Sequence, residues 1–170
     1  MALLKGVYAA GLSVLKEDLS LDVKKTIEHH EHLIKEGLNG TFFFGSTGQG
    51  QLISIGEKKS LISELSHSKY KDSFFLGTGV NSLRDNRDLI SHSFNNGFDT
   101  FLIMPPAYYV NNTHEGVYKF YANLIQQFPK IKIILYNFQK LSQYLFSPQA
   151  IEKLVKDFPE AIRACKDSSY

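Results

Sequence analysis

Along the chain, short apolar runs alternate with longer stretches in which apolar residues recur every three or four positions. The runs at 6–15, 41–44, 74–77, 100–104, 132–136 and 161–165 have the length and composition of β-strands, and successive runs begin 26 to 35 residues apart. That spacing holds one strand and one crossover helix. The intervening stretches carry their own punctuation. Ser20 is placed to cap a helix with Val23, Ile27, His30 and Ile34 on one face, and Gly37 to close it. Ser54 and Glu57 form a capping box ahead of Leu61, Ile62 and Leu65. Ser82 opens a third helix (Leu89, Ile90, Phe94, with Gly97 beyond it), Thr113 a fourth (Val117, Tyr121, Leu124, Ile125), and Ser147 with Pro148 a fifth.

Strands and helices in strict alternation predict an α/β fold with a parallel sheet covered by helices. Two architectures satisfy that pattern: an open doubly wound sheet and a closed (β/α)8 TIM barrel. A complete barrel takes about 250 residues and rarely fewer than about 200, and the sequence of 170 residues reaches Tyr170 just past the sixth run. The expectation is one domain over residues 1–170, truncated after strand six if it is a barrel.

Composition narrows the function classes. The chain is 43% hydrophobic and 21% charged, with 13 Phe and 9 Tyr to fill a core. No apolar run approaches the roughly 20 residues that span a bilayer, and no charged-then-apolar leader opens the chain. With Cys165 the single cysteine, this points to a cytoplasmic protein. Nineteen basic and 17 acidic residues are interspersed to a net charge of +2, which gives no concentrated field for nucleic acid or a membrane surface. The expected partner is a small molecule.

In both parallel architectures ligands bind at the carboxyl ends of the strands. After the second run stands Gly45-Ser46-Thr47-Gly48-Gln49-Gly50, whose backbone N–H groups and hydroxyls suit a carboxylate or phosphate. Its spacing is neither a dinucleotide fingerprint nor a Walker loop, so a small carboxylate fits better; the plain alternative is a glycine turn. After the fourth run come Tyr108 and Tyr109, and the fifth ends in Tyr136-Asn137; phenols at such positions either move protons or pack over a barrel mouth. Lys166 closes the sixth run. A desolvated ammonium there loses its proton more readily, and the neutral amine attacks a ketone, whereas a lysine reaching out to solvent does nothing of the kind. His29, His30 and His32 lie on the first helix, away from the strand ends, and read as a solvated face, not a metal site. Cys165 is expected to face opposite to Lys166.

Taken together, Gly45-Ser46-Thr47-Gly48, Pro105-Pro106-Ala107-Tyr108-Tyr109 followed by Glu115-Gly116, Tyr136-Asn137-Phe138 and Lys166-Asp167-Ser168-Ser169 resemble the dihydrodipicolinate synthase / N-acetylneuraminate lyase family of pyruvate-dependent class I aldolases. The similarity runs the length of the chain and implies the first six strands of a (β/α)8 barrel. It implies that Lys166 forms a Schiff base with pyruvate or another 2-oxo acid, that Tyr136 exchanges protons at the reacting oxygen, and that Ser46, Thr47 and Gly48 hold the carboxylate. Tyr109 corresponds to a tyrosine that crosses a dimer interface to complete a proton relay, so a homodimer or homotetramer is implied. The second substrate would be an aldehyde; no metal and no organic cofactor are implied.

There are departures from the family pattern. Residues 138–143 contain Lys140 and Leu141 but no arginine for the aldehyde partner's carboxylate, which favours a lyase or sugar-acid aldolase over a true dihydrodipicolinate synthase. Gln49 replaces a frequent glutamate, Gln139 a frequent proline, and Tyr170 a frequent glycine. Two other readings remain at this point: a catalytically incomplete carboxylate-binding module, and an open doubly wound domain that binds a phosphorylated ligand.

Overall fold

A computed structural model describes residues 5–169; Tyr170 and the change it carries lie outside the described residues. Six strands, β1 (Tyr8–Ala10), β2 (Gly40–Phe43), β3 (Phe74–Gly77), β4 (Thr100–Ile103), β5 (Lys132–Asn137) and β6 (Ile162–Asp167), form one sheet. All neighbours are parallel and the spatial order is the sequence order. Helices α1 (Val23–Lys35), α2 (Ile55–Leu65), α3 (Leu83–Asn95), α4 (His114–Gln127) and α6 (Pro148–Asp157) make the five crossovers, and a short turn of helix, α5 (Gln139–Ser142), follows β5. An uninterrupted strand order with a helix between each strand and the next is the winding of a (β/α)8 barrel; a doubly wound sheet would reverse its order partway.

The strands are apolar on both faces, as a sheet covered on both sides requires. On the helix side, Phe43, Leu76, Phe101, Ile103, Ile133, Leu135 and Ile162 pack against the helices in one continuous core. On the other side Phe42, Phe75, Leu102, Ile134 and Tyr136 pack together, with Tyr8, Met104 and Ala164 against them. This second cluster is the barrel interior, and its upper rim carries the strand-end residues.

Local chemistry explains the boundaries. The capping box at Ser54 is complete, and Glu57 also accepts the Leu21 N–H at 2.7 Å, tying α2 to the segment before α1. Ser82, Thr113 and Ser147 cap as expected. The cap of α1 is Asp22, not Ser20: the helix starts at Val23, and the Asp22 carboxylate accepts the Lys25 N–H at 3.0 Å, while Ser20 lies two residues further out and donates its hydroxyl to Asp18. The first run yields only three strand residues. At Gly11 the chain passes so close to the His30 ring that a Cβ would collide with it, and from there it turns away to make an antiparallel bridge from Leu15 to Leu21.

That contact corrects the reading of the histidines. His32 is exposed, but His30 is buried, stacked on Phe43 with ring centroids 3.5 Å apart. Its Nδ1 meets Thr41 Oγ1 at 2.8 Å and its Nε2 the Leu12 carbonyl at 3.2 Å. Burial pushes its pKa down to about 3, so it is a neutral core residue. Among the described residues no group of three or more His, Cys, Asp or Glu is placed to hold a metal ion.

Candidate active site

The register of β5 against β6 places Lys166 directly opposite Tyr136. A bulge produces that pairing. Ile133 pairs with Ile162 but Ile134 pairs with Ala164, so Arg163 is an extra residue and the alternation of β6 shifts by one. Without it, strict alternation would set Cys165 beside Tyr136 and turn Lys166 toward the helices. With it, Lys166 Nζ lies 4.5 Å from the centre of the Tyr136 ring. Cys165 instead pairs with Leu135 on the helix side, opposite to Lys166 as expected.

Tyr136 is 5% exposed, and its hydroxyl lies 2.8 Å from Ser46 Oγ. Ser46 and Thr47 are both exposed on the loop that leaves β2. This loop is built around Phe44, a buried aromatic held in the left-handed region at φ 56°. That conformation is costly for a bulky side chain and is found where the surroundings enforce it. Here three glycines do so. A Cβ on Gly50 would strike the Phe44 carbonyl, one on Gly77 would come within 2.7 Å of the same oxygen, and one on Gly79 within 2.9 Å of Gly50. Gly48 is buried, and its carbonyl accepts a hydrogen bond from Ser13 Oγ at 2.6 Å.

On the far side, Asn137 locks the ends of β5 and β6 together. Its Nδ2 donates to Asp167 at 2.9 Å, its Oδ1 accepts from Phe146 N–H, and its carbonyl accepts from Ser168 N–H. Hydrogen bonds from the Ser169 hydroxyl, the Ser169 N–H and Asn137 hold the Asp167 carboxyl below its usual range. The Asp167 side chain beside Lys166 is thus fixed by a hydrogen bond from the neighbouring strand.

Between these walls lies a cleft lined by Gly45, Ser46, Thr78, Asn81, Tyr136 and Leu141, among others. Tyr136 joins the two other candidates, Lys166 at its ring and Ser46 at its hydroxyl, while Lys166 is not among the residues that line the cleft. Tyr109 stands apart at 79% exposure, beside Tyr108 at 84% and with φ 77° at Tyr108. Among the described residues the side chains of Thr47 and Tyr109 make no hydrogen bond to Ser46 or Tyr136. Leu141 lines the cleft, while Lys140 lines a separate groove with Gln139, Leu145, Ser168 and Ser169.

One residue at the site escapes a motif search. Lys58, on α2, is fully buried and donates from Nζ to the carbonyls of Thr78, at 2.8 Å, and Gly79, at 3.1 Å. A signal exists in the sequence: Lys58, Leu61, Ile62 and Leu65 share the i, i+3, i+4, i+7 face that helix period assigns to the core.

Six parallel strands in sequential order, with Lys166 against the Tyr136 ring and Ser46 on its hydroxyl, define a partial α/β barrel with polar side chains gathered at the strand ends. More specifically, the chain belongs to the Dihydrodipicolinate synthetase family, which it matches over residues 3–170. It is 31% identical over 168 residues to an uncharacterised DapA-like lyase of Thermococcus kodakarensis, covering 97% of this chain and 56% of that protein. Its fold superposes on a dihydrodipicolinate synthase of Agrobacterium tumefaciens with a TM-score of 0.89 at 24% identity, over 96% of this chain and 58% of that one. A dihydrodipicolinate synthase of Acinetobacter baumannii in complex with pyruvate gives 0.84 at 26% identity, over 96% and 55%. The chain thus spans little more than half the length of these relatives, and its six strands correspond to six of a (β/α)8 barrel.

Proposed function

We propose that this chain carries the 2-oxo-acid half of a Schiff-base aldolase, with Lys166 as the nucleophile. The observation that supports the reading is the pairing of Lys166 with Tyr136 across β5 and β6, with Ser46 Oγ on the Tyr136 hydroxyl. The neutral Lys166 amine adds to the keto carbon of pyruvate, the keto oxygen leaves as water, and a protonated imine remains. Tyr136, in contact with Ser46, supplies the proton to the departing oxygen and later exchanges one at the reacting carbon–oxygen group. The N–H groups and hydroxyls of Ser46, Thr47 and Gly48 hold the carboxylate, and the imine draws electrons from the adjacent carbon so that a carbon–carbon bond to an aldehyde forms or breaks.

Support for pyruvate comes from the Acinetobacter relative, which binds it in its crystal structure. An apolar Leu141 in the cleft, with no arginine in residues 138–143, favours a lyase or sugar-acid aldolase over dihydrodipicolinate synthesis. Tyr109 is assigned to the relay of a neighbouring copy, in a homodimer or homotetramer, on the strength of its exposure. The single Cys165 suits a reducing compartment, and we place the reaction in the cytoplasm.

The test is borohydride reduction in the presence of pyruvate, followed by peptide mass spectrometry. A reduced pyruvate adduct on Lys166, absent from Lys166→Ala, is expected. Melting protected by pyruvate without an adduct would replace the aldolase with a carboxylate-binding module, and the absence of both effects would overturn the reading.

A further inference from the structure

We infer that Lys58 is a positioning residue for the carboxylate loop, acting from behind the β3–α3 connection on Gly45, Ser46 and Thr47. It deepens the proposed function by naming a group that shapes the 2-oxo-acid pocket without touching the ligand.

Lys58 is among the largest fully buried side chains of the protein, and among the described residues its ammonium forms no ion pair. Burial lowers its pKa to about 8, with Asp85 opposing the shift. A lysine is a costly choice for such a position, since Leu or Met would fill the space without desolvating a charge. What an apolar side chain could not do is satisfy the carbonyls of Thr78 and Gly79, which the chain buries as it leaves β3. Nζ also lies 5.7 Å from the Phe44 ring centre.

Those carbonyls sit on a segment that is itself a template. Gly79, at φ 56°, packs against the Gly50 backbone, and Gly50 in turn packs against the Phe44 carbonyl. Gly50 N–H closes the loop by donating to the Gly45 carbonyl at 3.0 Å, and Ser46, which meets Tyr136, follows directly. The segment is pinned a second time by Asn86, whose Nδ2 donates to the carbonyls of Val80 and Ser82. Thr78 and Gly79 line the same cleft as Ser46 and Tyr136. Toward the loop, three backbones meet without side chains between them, so a shift of the 78–79 backbone in that direction moves Gly50, and with it the carboxylate loop.

Hydrogen exchange and pyruvate titration of the borohydride reaction test this together. In Lys58→Met the amides of residues 44–52 and 76–80 are expected to exchange at least 10-fold faster, while α4 and β5 keep wild-type rates. Half-saturating pyruvate for adduct formation should rise about 10-fold with the maximal yield at Lys166 retained. Lys58→Arg keeps the charge and the donors but not their geometry, and is expected to be intermediate in both readouts, which covers the case in which the methionine variant does not fold. Wild-type exchange at 44–52 in the variants, or faster exchange spread equally through α4 and β5, would overturn the inference. If the wild-type protein forms no adduct, the aldolase reading fails on its own, and the exchange measurement still decides the role of Lys58.

Discussion

At the scale of single residues, environment sets chemistry more than identity does. His30 and His32 sit two positions apart on α1, yet one is a neutral core ring and the other is exposed. The neutral form of His30 is favoured in the fold, with a pKa of about 3 against an ordinary 6.5. Its contribution is therefore complete above about pH 6.5 and is lost as the pH falls toward 3, because the unfolded chain takes up a proton that the fold resists. Between pH 7 and pH 4 this one group should cost about 3 kcal/mol, at about 1.4 kcal/mol per pH unit of protonation. Chemical denaturation at the two pH values, compared with His30→Asn, checks it: the variant should lose less stability than the wild type on acidification. Equal losses would assign the acid sensitivity to groups such as Glu57 and Asp167, whose carboxyls are also held low.

At the scale of elements, the decisive feature is the bulge at Arg163. A β-strand has a period of two, so one residue more or less exchanges its faces. Inserting an alanine between Ala164 and Cys165 should carry Lys166 to the helix side and abolish its borohydride adduct with pyruvate. Deleting Arg163 leaves Ile162, Ala164, Cys165 and Lys166 in regular alternation opposite the same partners, and should retain the adduct. Mass spectrometry of the two variants side by side separates a loss of register from a general loss of folding. The elements themselves were legible: four of the five expected caps sit on the named residue, and all five crossovers are helical. The exception, Asp22 for Ser20, turned on where the helix starts, since Asp22 stands directly before Val23 and accepts the Lys25 N–H. The first strand is shorter than its apolar run because Gly11 makes room for the His30 ring, a long-range contact that periodicity does not encode.

At the scale of the whole molecule, strand order in register with sequence order joins five βα units and a final strand into one parallel sheet with its strand ends on one rim. Tyr108, Tyr109 and Val110 stand exposed on that rim, an apolar cluster of the kind that marks an association surface. If Tyr109 reaches a neighbouring copy, Tyr109→Ala should shift the sedimentation velocity profile toward monomer and reduce adduct formation with it; an unchanged profile would confine Tyr109 to its own subunit. By itself, the sequence determined the alternation of strands and helices and the polar residues at the strand ends, because hydrophobic period and capping chemistry are local; its motifs offered Lys166, Tyr136, Tyr109, Ser46, Thr47 and Gly48 as candidates. Tertiary structure alone decided that Lys166 and not Cys165 faces Tyr136, that Phe44 is held left-handed among Gly50, Gly77 and Gly79, and that Lys58 anchors the adjoining backbone. Each of those depends on which strands and loops become neighbours, and a pairing register or a close backbone approach exists only once the chain has packed.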